Sequence, residues 1–317
     1  MKHAVISGTG SYLPQQQLTN FDLEQRLDTD HEWIMSRTGI SSRAIASEHE
    51  TTSYMAGKAA FEALNASGLK ADDIDLILVA TCTPDKFFPG MACYVQHALD
   101  ISKPVPAFDV GAACSGFVYA MDIARQYIAT GAARHVMVVG SESMSRSVDW
   151  QDRSTSILFG DGAAGVVLSA DEREGILGSV LHSAYDKDDF LGLTNASFEE
   201  GRSFLKMRGN DVFKIAVNQM GEVVDEVLSL CHLKKEDIKW LIPHQANIRI
   251  IQAIAKKLAL PMEQVIVTIE HQGNTSAASI PLALDFSIKS NKIQRGDLFL
   301  IESFGAGMTW GAMVIRY

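Results

Sequence analysis

Leu69-Lys-Ala-Asp-Asp-Ile-Asp-Leu-Ile-Leu78 and Leu233-Lys-Lys-Glu-Asp-Ile-Lys-Trp-Leu-Ile242 carry the same pattern about half a chain apart. Each reads as an acidic turn feeding a buried strand. The segments that follow also correspond. A helix around 91–99 and a strand at 105–110 match a helix at 248–258 and a strand at 265–269. His135-Val-Met-Val-Val-Gly140 is echoed by Asp297-Leu-Phe-Leu-Ile-Glu302, and Gly162-Ala-Ala-Gly-Val-Val-Leu168 by Gly311-Ala-Met-Val-Ile-Arg316. Two similar α/β halves, 1–171 and 172–317, joined near Ala170 to Gly175, account for this better than one continuous sheet.

Ligands of open α/β sheets gather beyond the carboxyl ends of the strands. If a pseudo-twofold relates the halves, those ends converge on one cleft. The residues just after matched strands are therefore the candidates: Cys114, His244-Gln-Ala-Asn247, His271-Gln-Gly-Asn-Thr275 and Phe304-Gly-Ala-Gly307.

Cys114 stands in Asp109-Val-Gly-Ala-Ala-Cys-Ser-Gly-Phe117, between a strand and a helix that runs from Gly116 to Thr130 and stops at Gly131. A free thiol has a pKa of about 8.5, and a helix N-terminus lowers it. Cys114 is thus expected to be a thiolate. Its small neighbours admit a bulky carbonyl, and the backbone N–H groups of the turn are placed to hold an oxyanion. His244 closes Trp240-Leu-Ile-Pro-His244, where Pro243 ends the pairing and lets the imidazole face the cleft. Asn274 lies at the start of another helix, a common N-cap position. Capping by Thr275 or Ser276 instead would free its side chain as a donor.

Composition sets limits on these readings. With 317 residues, 47% hydrophobic and 21% charged, the chain is globular, and its net charge of −10 argues against general nucleic-acid binding. Cys82, Cys93, Cys114 and Cys231 form no C-x-x-C pair and have no ligand histidines nearby, so neither a zinc site nor a disulfide framework is expected. The opening MKHAVISGTGSYLP resembles neither a secretory signal nor a membrane span, and a cytoplasmic protein with no membrane partner is expected. Gly8-Thr-Gly10 and Gly160-Asp-Gly162 complete no dinucleotide fingerprint and read as tight turns.

Taken together, DVGAACSGF, IPHQANIRI, HQGNTSAASIP and SFGAGMTWG resemble the thiolase superfamily, in particular β-ketoacyl-acyl-carrier-protein synthase III, and the likeness runs nearly end to end. The resemblance implies a thiolase-like α/β fold, two duplicated halves packed as a five-layer αβαβα sandwich. It places the nucleophilic cysteine in 1–171 and the histidine and asparagine in 172–317. Cys114 would accept an acyl group from acyl-coenzyme A and release the thiol. Malonyl-acyl carrier protein would then lose carbon dioxide, and its enolate would attack the acyl-cysteine to give a β-ketoacyl product. His244 and Asn274 would hold the enolate oxygen, and the amides of Cys114 and Ala306 the acyl-transfer oxyanion. Ala306 stands where the family usually has glycine. No cofactor or metal is implied, since acyl-coenzyme A is a substrate.

By the same resemblance, Trp33, Arg37 and Arg153 would bind the adenine nucleotide of coenzyme A. Gly209, Phe213 and Asn247 would line the pantetheine tunnel, and Phe304 would cover the malonyl carboxylate. Arg249, Lys256 and Lys257 share a face of one helix, and with Lys214 they form the patch expected to meet an acidic carrier protein. Phe88 would cross a homodimer interface into the partner's acyl pocket; alternatively, Phe87 and Phe88 plug a local core. A degradative thiolase fits less well, because no cysteine follows Cys231. An elongating condensing enzyme would carry a second histidine in place of Asn274. A relative that loads an unusual acyl group, a cysteine hydrolase and a non-catalytic carrier-binding module remain as alternatives, and the 186–208 loop as an open question.

Overall fold

The computed structural model describes residues 2–194 and 203–317. The expected acidic turns are single helical turns, Ala71–Asp73 and Lys235–Asp237, and they repeat atom for atom. Asp73 accepts the Lys70 N–H at 2.8 Å, and Asp237 accepts that of Lys234 at 2.8 Å. Each turn hands the chain to a strand, Leu76–Ala80 or Trp240–Pro243. The first is buried along its whole length, as suits a parallel strand covered on both faces.

The duplication extends through both sheets. The first runs His3–Tyr12, Asp161–Asp171, His135–Ser143, Leu76–Ala80, Ala107–Val110; the second runs Ile176–Ser183, Thr309–Arg316, Leu298–Gly305, Trp240–Pro243. In each, two antiparallel pairings are followed by a parallel one in the same order. Alternate side chains on each strand enter different cores. Leu76 and Leu78 join Phe117, Ile280 and Ile301 between the sheets, while Ile77 and Val79 pack under the outer helices Thr52–Ser67 and Met91–Ala98. On the second sheet, Leu241, Leu300 and Val314 face the outer helices Gly209–Leu230 and Ile248–Lys257. The Gly116–Ala129 and Ser279–Lys289 helices fill the middle, which gives five layers.

Two expectations are corrected. The strand at 265–269 shrinks to a single parallel bridge, Leu241 to Val265, in the place that Ala107–Val110 occupies in the other half. The Gln245 side chain takes over the pairing: its Nε2 donates to Ile266 O at 3.2 Å, and its Oε1 accepts Thr268 N at 2.8 Å. Gly8-Thr-Gly10 is not a turn but part of the His3–Tyr12 strand, and Gly162 likewise lies within Asp161–Asp171. A Cβ at Gly8 or Gly10 would overlap the backbone of Ala63 in the Thr52–Ser67 helix, so these glycines permit close helix-on-sheet packing. Gly10→Ala is expected to cost about 1–3 kcal/mol through forced backbone separation, measured as a lower urea midpoint with unchanged slope.

Among the described residues, no helix is long and apolar enough to cross a membrane.

Candidate active site

Strand ends from both halves meet around one cavity of about 560 Å³. Cys114 follows the Ala107–Val110 strand on a short turn, Ala113–Ser115, that opens the Gly116–Ala129 helix. Ala113, just before it, has φ +45°, a left-handed conformation that costs a non-glycine residue energy. The other half holds the turn in place: Ser303 Oγ donates to Cys114 O at 2.9 Å, and Thr309 Oγ1 donates to Ala112 O at 2.9 Å. Gly305 packs so closely that a Cβ there would lie 2.8 Å from Cys114 N.

His244 is 3% exposed and continues the parallel pairing one step, its N–H donating to Glu302 O at 2.8 Å. Its Nδ1 lies 2.6 Å from Ser279 Oγ, which also accepts Gln245 N at 3.2 Å. The Ser279 hydroxyl is in position to donate to Nδ1, and in that tautomer the imidazole proton is on Nε2. Burial lowers the His244 pKa to about 3, so the ring is neutral at physiological pH. A neutral Nε2–H is a hydrogen-bond donor, fit to hold a developing negative oxygen.

Asn274 is held by a parallel bridge to Phe159: its N–H donates to Leu158 O at 2.8 Å, and its carbonyl accepts Gly160 N at 3.0 Å. Gly160 is therefore no simple turn. A Cβ there would strike Gln272 O. Neither Thr275 nor Ser276 caps the following turn with its side chain. Instead Asn274 Oδ1 accepts Ser276 N at 2.9 Å, which commits the oxygen and fixes Nδ2 as the donating end of the amide.

The expected thiolate is not met. Burial pushes the Cys114 thiol up to about 11, against a smaller opposing contribution from the Ser276 hydroxyl. The buried Glu142 carboxylate adds to the rise. The thiolate fraction below that pKa rises about tenfold per pH unit. Single-turnover acylation of Cys114 is accordingly expected to accelerate about tenfold per unit between about pH 7 and 9; a flat profile would instead show the proton leaving to a base during attack.

The other predicted residues divide between the cavity and the surface. Phe304, Ala306, Gly209, Phe213, Asn247, Trp33, Arg37 and Arg249 line the cavity with Cys114, His244 and Asn274. Phe304 is buried at the end of Leu298–Gly305. Ala306 is not in the left-handed region; that conformation falls on Gly307, φ +129°, so alanine is accommodated. Asn247 caps the Ile248–Lys257 helix through Oδ1 to Arg249 N at 2.8 Å. Arg153 stays outside the lining but stacks on Trp33, its guanidinium 4.7 Å from the ring centroid, with Arg37 at 5.7 Å. Lys214 and Lys256 are exposed away from the cavity. Lys257 crosses to the neighbouring helix, donating to Asn218 O at 3.1 Å. Phe87 and Phe88 are 78% and 84% exposed, so they plug no local core of this chain. His271 turns outward to Ser41. Of the 186–208 loop, 195–202 lies outside the described residues.

Sequence reasoning missed Cys82, Glu142 and Ser279. Cys82 and Glu142 stand at strand ends beside Cys114, where the criterion that selected Cys114 and His244 would also have placed them.

Residues 108–184 match the family model 3-Oxoacyl-[acyl-carrier-protein (ACP)] synthase III, and residues 228–317 match its C-terminal counterpart. The Beta-ketoacyl-[acyl-carrier-protein] synthase III of Coxiella burnetii (strain CbuK_Q154) is 51% identical over 100% of both chains. The chain belongs to the 3-oxoacyl-[acyl-carrier-protein] synthase III family. The enzyme of that name from Xanthomonas campestris pv. campestris is 52% identical over 98% of each chain. The crystal structure of 3-oxoacyl-[acyl-carrier-protein] synthase III from Aquifex aeolicus VF5 superposes with a TM-score of 0.95 at 50% identity, covering 99% of this chain and 100% of that one. As a synthase III the chain has the thiolase-like fold and is an acyl-transferring condensing enzyme.

Proposed function

We propose that this synthase III joins an acyl-coenzyme A primer, acetyl or similar, to malonyl-acyl carrier protein by a two-stage cycle on Cys114. The observation that carries the reading is the convergence of three groups on one cavity: a thiol on a helix-opening turn, a neutral imidazole with its proton on Nε2, and a carboxamide with its oxygen already committed. In the first stage the sulfur of Cys114 attacks the thioester carbonyl. The amides of Cys114 and Ala306 hold the oxyanion, and coenzyme A leaves with the thiol proton. In the second stage the malonyl carboxylate, under Phe304, departs as carbon dioxide. His244 Nε2 and Asn274 Nδ2 hold the enolate oxygen, and the carbanion equivalent takes the acyl group from Cys114. The malonyl group supplies its own carbanion precursor, so no step calls for a cofactor.

Trp33, with the Arg37 and Arg153 guanidiniums near its ring, offers a flat ring and two cations to an adenine nucleotide. Gly209, Phe213 and Asn247 would then flank the pantetheine arm. Lys214, Arg249, Lys256 and Lys257 form the patch for the acidic carrier protein, and Phe88 reaches a partner subunit in a homodimer. The halves 1–171 and 172–317 act as the two units of the site, and the water-soluble substrates go with a cytoplasmic location.

Intact-protein mass spectrometry after exposure to a panel of acyl-coenzyme A thioesters tests the proposal. One acyl adduct at Cys114, discharged by malonyl-acyl carrier protein into a β-ketoacyl product, is expected; release of free acid alone would identify a hydrolase. A Priming beta-Ketosynthase from the R1128 Polyketide Biosynthetic Pathway superposes at TM-score 0.95 with 35% identity. Preferential loading of a longer or branched group in the same panel would favour the alternative of a relative that loads an unusual acyl group.

A further inference from the structure

The catalytic cycle leaves one chemical group of the cavity unused. Cys82 and Cys114 both line it, whereas Cys93 and Cys231 do not. They leave the sheet side by side: Ala80 and Val110 are register partners in adjacent parallel strands, and each cysteine follows its strand within four residues. The two sulfurs also share a neighbour. Cys82 Sγ is 3.7 Å from Ser276 Oγ, the same hydroxyl that contacts Cys114. Behind Cys82 sits Glu142, fully buried, which accepts the Cys82 thiol at 3.2 Å, Thr83 Oγ1 at 2.6 Å and Thr81 Oγ1 at 3.2 Å. A resolving thiol with a proton acceptor in place therefore stands beside the reactive one.

We propose that Cys82 and Cys114 form a reversible disulfide when hydrogen peroxide enters the empty cavity, which parks the nucleophile in a recoverable form. The Cys114 sulfur attacks one peroxide oxygen; an S–O bond forms, the O–O bond breaks, and the leaving hydroxide takes the thiol proton as water. Cys82 Sγ then attacks the sulfenic sulfur and gives its proton to Glu142. The S–S bond forms, the S–O bond breaks, and the departing hydroxide recovers that proton as a second water. Two thiols are oxidised, one peroxide is reduced, and no further reactant is needed. Burial raises the Glu142 carboxyl above its ordinary range, which makes it a better acceptor, and raises both thiols, which makes the reaction slow. An acyl group on Cys114 blocks the first step, so protection by acyl-coenzyme A follows directly.

The test treats the whole protein with millimolar hydrogen peroxide and reads intact mass, peptide map and recoverable activity. Loss of two hydrogens, a peptide joining residues 82 and 114, and nearly full recovery with dithiothreitol are expected. In Cys82→Thr, which keeps a hydroxyl for Glu142, Cys114 gains two oxygens and the recoverable fraction falls to below about one tenth. Wild-type protein that gains oxygen at Cys114 without the cross-link overturns the proposal, whether or not the variant folds. The mass readout needs no substrate, so a failed disulfide is distinguishable from a failed acyl-transfer reading.

Discussion

Cys114→Ala is expected to abolish condensation, with a loss of roughly 10⁵-fold or more, as for removal of other covalent nucleophiles, while malonyl-acyl carrier protein is still decarboxylated. The two activities use different halves of the site. In the proposed cycle acyl transfer needs the sulfur on the Ala113–Ser115 turn, whereas loss of carbon dioxide needs only the donors His244 and Asn274 and the cover of Phe304. Alanine fits the turn, whose strain falls on Ala113 and whose ties run through the carbonyls of Cys114 and Ala112. The variant should fold normally. Cys82 is in the same cavity, but burial and the Glu142 carboxylate hold its thiol well above the ordinary range, so it makes a poor substitute. Acyl-enzyme mass, condensation and carbon dioxide release are measured on one preparation. Condensation within tenfold of wild type would remove Cys114 from the mechanism.

The duplicated architecture was legible because its signals are local. An acidic turn followed by an apolar run specifies a capped turn and a buried strand with little help from the rest of the chain, and both copies fold alike. The positions of Cys114 and His244 followed, since their strand ends were located even though side-chain directions were not; the strand expected before Asn274 is only a single bridge. What escaped depends on distant partners. No pattern within 265–269 reveals that the Gln245 side chain will occupy its backbone groups. The glycines at 8 and 10 are explained only by Ala63, on a helix that follows much later. The protonation of Cys114 illustrates the same limit. Helix position is readable from spacing, but the competing cost of burial depends on a cavity assembled from both halves.

In the proposed cycle the two halves divide the chemistry. The first half contributes a sulfur whose reactivity is restrained by enclosure; the second contributes a donor tuned by the same enclosure. Burial that keeps His244 neutral would disable it as a permanent cation, yet a neutral Nε2–H is what an enolate oxygen requires: it donates without forming an ion pair with the incoming malonyl carboxylate, which must remain free to leave. Ser279, on the helix between the sheets, reaches Nδ1 from the centre of the molecule, where its hydroxyl supports the tautomer with the proton on Nε2.

In the proposed cycle Asn274 is the second donor, and its removal is expected to slow condensation and malonyl decarboxylation together by about 10²- to 10³-fold, with Cys114 acylation changed by less than about threefold. Asn274→Ala alone confounds two effects, because Oδ1 also accepts the N–H of Ser276, a residue at φ +49°. Asn274→Asp separates them. Aspartate keeps the acceptor for Ser276 and the backbone bonds to Leu158 and Gly160, but it replaces the amide donor with a carboxylate oxygen facing the developing enolate. If donation is the contribution of Asn274, the aspartate variant is at least as slow as the alanine one, since it adds repulsion to the loss of a hydrogen bond. Recovery of decarboxylation in Asn274→Asp would mean that Asn274 serves only to shape the turn before Ser276, and the enolate would then rest on His244 alone.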